Sequence, residues 1–514
     1  MAGIKSLVKD TAVYGLSSII GRFLNWGLVP LYTYLFSEAD YGIVSYLYAI
    51  VAVVIVVLNY GMETGFFRYA SKDDDYEKVY CTCLVSIVST SLLFIAIVGQ
   101  FLTPISTALK LPHHPSYVFM MAFTVGIDAI TNIPFAYLRF RRKAWTFAAI
   151  KLINIGVNIG LNLFFLLACP KIQESAPQLI SWFYDPLGGA SFGVGWIFLA
   201  NVISTLTVLA CLIPWMRVKR FIVDTGLLKD MLDYSWPLLV LGVAGNLSQG
   251  MGQIIIPYLF PDNPEGARAM VGLYGANIKI AVVMMMFTQA FRYAYEPFIF
   301  SRARSQGEDK TQAYCDAMKY FVIFGLAIFL GVMFYLPVLK HFISPAYWEG
   351  LRVVPIMMIA DLCFGIYFNL SLWYKLTDRT RWGMYLSLLG FILMLGGNLI
   401  LVPMIGMPDG YIGSAWAALI SYAGIMTVSY MLGRKYYPIP YEVKRMGCYS
   451  ILAALLWGIG AYCDFPYAMW MTYLIRSLLL ILYMLLVAYY ENIPVVSARL
   501  HSLLSSADRK TRKP

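Results

Sequence analysis

Charge is scarce in this sequence. Only 13% of its 514 residues are Asp, Glu, Lys or Arg, while 60% are hydrophobic. A soluble domain needs about 25% charged residues to cover its surface, so a water-soluble globule is excluded. Long polar loops are missing as well. The largest non-apolar segment on the side opposite the N-terminus runs from about 170 to 190, so a soluble catalytic domain has nowhere to sit. Histidine is rare, at four residues, and His113-His114 is a lone pair with no nearby carboxylate that reads as solvated. The eight cysteines supply no framework. Cys81-Thr82-Cys83 has neither CxxC nor zinc-finger spacing, and no His ligands follow it. All eight read as small buried residues, and neither a metal site nor a resident cofactor is expected. No cleavable signal segment is evident: the apolar stretch that follows Lys5 and Lys9 continues to Phe36, too long for a signal h-region.

What the sequence does contain is long apolar runs. About 20 apolar residues cross a bilayer as a helix, and fourteen such runs are read at 11–36, 41–62, 79–103, 116–138, 144–169, 191–216, 234–257, 271–298, 315–339, 351–374, 382–404, 410–433, 446–464 and 468–490. The expected fold is therefore an all-α polytopic membrane protein. Loop charge tests the count. With the N-terminus in the cytoplasm, 29 of the 39 Lys and Arg fall in inside segments, and only Lys110, Lys171, Arg268, Lys340 and Arg352 fall outside. That is the positive-inside pattern. The net charge of +11 then reflects cytoplasmic loops rather than nucleic-acid binding. The loop-charge pattern places both termini in the cytoplasm of an inner-membrane protein, with a basic cytoplasmic tail at 493–514 beside anionic lipid heads.

The chain also echoes itself. Asn132, Tyr137 and Trp145 recur as Asn369, Tyr374 and Trp382 at one offset of 237, and Gly193 and Trp196 recur as Gly413 and Trp416 at an offset of 220. A duplication of six spans follows. The expected division is an N-lobe at 1–220 (spans 1–6), a C-lobe at 221–440 (spans 7–12) and spans 13–14 at 441–492. An even repeat makes the lobes parallel, with a cavity expected between them.

Ionised residues inside a span cost about 2.5–3.5 kcal/mol on insertion scales and need a reason. Arg22 lies about 16 Å into the first span at 1.5 Å per residue, too deep to reach water easily. Lys279, Arg292 and Glu296 lie on the eighth span, where Arg292 and Glu296 either face a cavity or pair with one another. Lys151 and Arg476 are near enough to an interface to snorkel. Asp128 and Asp361 lie mid-span in the fourth and tenth runs. At the offset of 237, Asp128 maps to Gly365, one turn from Asp361. Each is a candidate for Na+ or H+ coupling, or a cap for a buried cation; Glu296 is a third coupling candidate. The seventh span carries Asn246, Gln249 and Gln253 at spacings of three and four, a stripe that lines a cavity or bonds neighbouring helices. Arg22 and Arg292, with Arg68 at the mouth of the second span, make a positive field suited to an anionic cargo.

Three stretches carry a family resemblance. They are Gly21-Arg-Phe-Leu-Asn-Trp-Gly-Leu-Val-Pro-Leu-Tyr-Thr-Tyr-Leu-Phe-Ser-Glu-Ala-Asp-Tyr-Gly42, Gly61-Met-Glu-Thr-Gly-Phe-Phe-Arg68 and Ala294-Tyr-Glu-Pro-Phe298. They resemble the polysaccharide-biosynthesis (Wzx-type) flippases of the multidrug/oligosaccharidyl-lipid/polysaccharide exporter superfamily. The resemblance implies alternating access and transfer of undecaprenyl-pyrophosphate-linked sugar repeat units, for O-antigen, capsule or exopolysaccharide, from the inner leaflet to the outer. It implies that Arg22, Arg68 and Arg292 hold the pyrophosphate, with Lys279 a further candidate cavity cation, and that Trp26 and the polar stripe touch sugar. The partners implied are the lipid-linked glycan, the bilayer and glycan polymerase machinery. The alternatives are a lipid II flippase, an ion-coupled multidrug antiporter of the same superfamily, and a membrane glycan polymerase or ligase, which would carry a larger outside loop.

Overall fold

A computed structural model describes residues 21, 23–24, 26–71, 75–217, 223–303, 309–377, 379, 381–463 and 469–491. Among these there is no strand. The long helices are α1 (Leu28–Leu35), α2 (Glu38–Asn59), α3 (Met62–Ala70), α4 (Tyr76–Gln100), α5 (Pro115–Phe140), α6 (Ala144–Leu163), α7 (Gly195–Met216) and α8 (Thr225–Leu259). They continue as α9 (Pro264–Ala303), α10 (Asp309–Phe334), α11 (Val353–Leu370), α12 (Arg381–Ile405), α13 (Gly410–Tyr436), α14 (Val443–Tyr462) and α15 (Met469–Tyr490). Twelve helical segments among the described residues are long and apolar enough to cross a membrane. The chain is an all-α multi-pass membrane protein.

Those twelve match twelve of the fourteen expected spans. The first, at 11–36, is described only in part, chiefly from Trp26 onward where it carries α1, and the tail at 493–514 lies outside the described residues. The thirteenth exists as α14. It has the length of a span, but Lys444 and Arg445 in its first turn and three glycines along it leave it less apolar than the twelve. The segment at 170–190 is not an open loop. It winds into short helical turns over Cys169–Ser175 and Ser181–Tyr184. The Tyr184 ring stacks on Trp196 at 4.9 Å, and the Trp196 indole donates to the Gly189 carbonyl at 2.9 Å. The cysteines also differ from expectation. Cys81, Cys83, Cys169 and Cys315 are buried, Cys211, Cys363 and Cys463 only partly, and Cys448 is exposed. In a membrane protein an apolar run has a lipid-facing side, so apolar surroundings in sequence do not imply burial.

Local chemistry sets the helix limits. The Ser37 hydroxyl accepts from the Asp40 amide, Asp75 accepts from the Lys78 amide, and Asp224 accepts from the amides of Gly226 and Leu227. Each side chain satisfies donors that the first turn leaves open. The second span breaks at Tyr60-Gly61. Gly61 takes φ +74°, a conformation that favours glycine, and its carbonyl accepts from the Ser235 hydroxyl at 3.2 Å. The same carbonyl also accepts from the Gly65 amide at 3.1 Å, so the new helix starts there and the Ser235 bond ties its first turn to α8.

The helices gather into two compact units. One comprises residues 1–279, 346–350 and 381–421; the other comprises 280–345, 351–380 and 422–514. In the first, α8 packs against α2 and α12, and α7 against α5 and α6. A close crossing joins α2 to the start of α9. A methyl placed on Gly42 would collide with the Arg268 carbonyl, and one on Gly272 with the Glu38 carbonyl. Two backbones meet where neither residue has a side chain, the small-residue logic of membrane helix contacts. In the second unit, α10 packs against α11, α14 and α15. Its end is tied by charge. The Lys319 ammonium sits 2.6 Å from Glu491, 3.4 Å from Asp316 and 4.0 Å from Glu442. Arg445 pairs with Glu442 at 2.9 Å, and the Tyr449 hydroxyl donates to Glu491. Burial raises the Glu491 carboxyl, but the bonds from Lys319 and Tyr449 outweigh it and hold it below the ordinary glutamate range.

The crossing gives a direct test. Gly42→Val or Gly272→Val forces the backbones apart and costs about 1–3 kcal/mol of overpacking. Thermal unfolding in detergent should show a clear loss for both. Gly156→Ala and Gly160→Ala, which meet nothing within 4 Å, should be neutral or slightly stabilising. Equal behaviour of the two pairs would refute the crossing.

Candidate functional site

The sequence nominates a set of intramembrane polar residues, and the structure locates most of them. Arg22 lies outside the described residues. The backbone of Glu296 lies in α9, but its side chain lies outside them too. Arg68, Lys279, Trp26, Asn246, Gln249, Gln253 and Asp128 belong to the first unit. Arg292 and Asp361 belong to the second.

In the first unit, the Trp26 indole donates to the Lys279 carbonyl at 2.7 Å, which pins the chain ahead of α1 to α9. Lys279 is half-buried and makes no ion pair among the described residues. Arg68 is exposed at the end of α3, with its guanidinium 3.9 Å from the centre of the Tyr234 ring. That cation–π contact fixes the side chain without neutralising it. The neighbouring Glu63 is already engaged by Arg139. The stripe on α8 makes no hydrogen bond to another helix among the described residues. Asn246 donates to Gly242 of its own helix at 2.9 Å, Gln249 is exposed and Gln253 is half-buried. The interleaved glycines do the packing: Gly242 meets Val56, Gly250 meets Ala49 and Gly252 meets Ser414.

Asp128 and Asp361 have unlike surroundings. Asp128 accepts from the Thr205 hydroxyl at 3.2 Å, and Lys151 is its charged neighbour. Lys151 in turn lies 4.2 Å over the Phe135 ring. Asp361, on α11, is 6% exposed and makes neither a hydrogen bond nor an ion pair among the described residues. A buried ionised carboxylate without a partner is very costly. His113 is exposed, as read. His114 is not: it stacks on Tyr117 at 4.7 Å. Burial, then Arg268 and His113, push its imidazole below the ordinary histidine range, so it is neutral at pH 7.

Arg292 opens onto a small cavity within the second unit. Thr288, Phe291, Tyr295, Phe321, Phe368 and Asn369 are among its walls, and no carboxylate lines it among the described residues. The guanidinium lies 5.0 Å over the Phe368 ring. The site thus presents a cation in an aromatic frame.

Reading the sequence missed a polar chain in the first unit. The Tyr32 hydroxyl donates to Asn162 at 3.0 Å; Asn162 donates to the Asn158 carbonyl at 2.8 Å; Asn158 donates to Asn201 at 3.0 Å; Asn201 donates to the Tyr48 hydroxyl at 2.7 Å. It links α1, α2, α6 and α7. The signal was present: Asn154, Asn158 and Asn162 recur every fourth residue in an apolar run. Asn162→Leu should leave Tyr32 and Asn158 short of a partner at a cost of about 1–3 kcal/mol, against about 1 for Tyr32→Phe. Thermal unfolding of both variants measures this order, and the reverse order would contradict the chain.

No family model matches this sequence, and no curated protein matches it. Solved structures do. The lipid II flippase MurJ, in an inward closed conformation, is similar over 95% of this chain and 100% of its own, with TM-score 0.63 and 12% identity. An inward-facing multidrug resistance MATE family transporter of the MOP superfamily is similar over 83% of this chain and 94% of its own, with TM-score 0.61 and 14% identity. A MATE protein in a straight conformation gives 0.56 at 14% identity over 84% and 95%. At such identities the likeness is one of fold: the chain has the architecture shared by these transporters and flippases.

Proposed function

We propose that the chain is a flippase moving a polyprenyl-pyrophosphate-linked oligosaccharide across the cytoplasmic membrane by alternating access, not an enzyme. The observation that carries this reading is the Arg292 cavity, a cation framed by the aromatic rings of Phe291, Tyr295, Phe321 and Phe368. Lys279, without an ion pair among the described residues, and Arg68, held on Tyr234, add positive charge of the same kind. Arginine grips phosphate with paired donors. Arg22 belongs to the same set by sequence. Asn246, Gln249 and Gln253 bond no other helix among the described residues, so their amides are available to sugar hydroxyls. Under this reading the chain folds as two six-span lobes (1–220 and 221–440) with spans 13–14 beside them, and both termini lie in the cytoplasm. A fold likeness to MurJ supports lipid II as the alternative cargo.

Asp361 favours an ion-coupled mechanism. A carboxyl buried without a partner changes charge only by exchanging a proton or admitting a cation, the property a coupling site needs. The same residue would serve a multidrug antiporter, the reading the MATE likeness suggests. Asp128, already engaged by Thr205 and beside Lys151, fits a structural cap better.

Transfer of a fluorescent lipid-linked oligosaccharide between the leaflets of proteoliposomes tests the proposal. Arg22→Ala and Arg292→Ala should each slow transfer at least tenfold, about 1.4 kcal/mol. Full transfer by both variants would overturn the cationic site. Asp361→Asn should abolish the response to an imposed Na+ or H+ gradient; an undiminished response would remove Asp361 from coupling. Drug efflux without lipid transfer would establish the antiporter instead.

A further inference from the structure

We infer that the segment between α6 and α7 is an interfacial anchor, which beds Leu179 and Trp182 into the headgroup region of the bilayer beside the end of α6. The inference rests on the chain's being a multi-pass membrane protein and is independent of its cargo.

The membrane boundary can be read along α6. One face of this helix, continued through a π-helical turn at Phe164–Ala168, is exposed at every third or fourth residue from Trp145 to Leu167. Every exposed residue on it is apolar or glycine. At 1.5 Å per residue the face is about 33 Å long, against about 30 Å for a hydrocarbon core. The next exposed positions with large side chains are Lys171 and Glu174. The lipid-facing run therefore ends between Leu167 and Lys171, where headgroups begin.

The chain then folds back to the same level. The Phe165 ring lies 4.9 Å from that of Trp196, and Trp196 stacks on Tyr184 at 4.9 Å. Phe165 belongs to the last apolar turn of α6, so this row of rings holds Tyr184 at the boundary, and Trp182 with it. The Gln173 amide donates to Asp185 at 3.0 Å and ties the returning chain beside the helix. Ile180 and Tyr184 are buried, whereas Leu179 is 68% and Trp182 77% exposed. The Trp182 indole N–H is spent on the Leu179 carbonyl at 3.2 Å, which leaves the ring open.

A large ring with a satisfied N–H suits a membrane interface, where tryptophan collects. Trp145, 71% exposed in the first turn of α6, stands at the opposite end of the same face. Continuity with that face favours lipid over a soluble partner as the cover for Leu179 and Trp182. Charge defines the mode. Residues 169–193 carry Lys171 against Glu174 and Asp185, so no basic cluster is present to grip anionic lipid. The anchor holds by apolar burial, in neutral and anionic bilayers alike.

The full-length protein in nanodiscs provides the test, through the tryptophan emission lost between the parent and Trp182→Phe. That emission should be blue-shifted from tryptophan in water. Lipids brominated near the top of the acyl chain should quench it at least twice as strongly as lipids brominated near the chain end, and more strongly than aqueous iodide. Replacing zwitterionic by anionic lipid should change the quenching less than twofold. Changing both Leu179→Ser and Trp182→Ser should speed amide hydrogen exchange over 176–188 at least tenfold while α7 stays protected. Trp182→Tyr serves if the phenylalanine variant does not fold.

Emission quenched by iodide and not by brominated lipid would overturn the anchor and make the segment a water-facing surface for a soluble partner. Strongest quenching by the deepest bromines would place the ring in the hydrocarbon core and overturn it equally. A dependence on anionic lipid beyond twofold would replace apolar burial by an electrostatic grip. Exchange unchanged in the double serine variant would show that these two residues anchor nothing.

Discussion

In a hydrocarbon surround, every peptide group must find its hydrogen bond within the protein. This constraint shapes the rest of the structure. It makes every regular element among the described residues a helix. It also means that each departure from regular helix is matched by a partner. The break at Tyr60-Gly61 shows this: the Gly61 carbonyl accepts from the Gly65 amide of the next helix and from the Ser235 hydroxyl of α8. The folded segment between α6 and α7 shows it again, with the Trp196 indole satisfying the Gly189 carbonyl.

With the backbone settled in this way, the polar side chains are the variable part, and they divide by whether the protein completes them. The chain from Tyr32 to Tyr48 runs wholly between protein groups and ties four helices. The Asp128–Thr205 contact, with Lys151 nearby, is likewise internally complete. Asp361 and Asn369 are different. Both lie on α11, both are buried, and neither is completed by the described residues around it. A protein that keeps two unfinished polar groups on one helix gives up stability there, as functional sites commonly do.

The helices were readable in the sequence because hydropathy reports directly on lipid exposure, and loop charge checked the count. Boundaries such as Arg381–Ile405 and Met469–Tyr490 fall within a residue or so of the apolar runs. The site was readable only in part. Arg292, Lys279 and Asp361 stand out because charge in an apolar run is conspicuous. Asn158, Asn162, Asn201 and Asn369 do not, because a neutral amide barely alters hydropathy and its meaning depends on what faces it across a helix pair. Asn369 entered the sequence reading only as an echo of Asn132; its lack of a partner is a three-dimensional fact. The same limit applies to the cysteines, since sequence cannot tell a lipid-facing side from a buried one.

The Lys319 cluster has a consequence for biosynthesis. Lys319 sits on α10, but its nearest carboxylate, Glu491, is the residue that follows α15. While the ribosome is still making the last two helices, Lys319 has only Asp316 and then Glu442 to offset its charge. The Glu491 ion pair closes only when α15 has been released and docked. A single lysine thereby couples the stability of α10 to the arrival of α15, and a chain cut before Glu491 retains a cation without its nearest counterion.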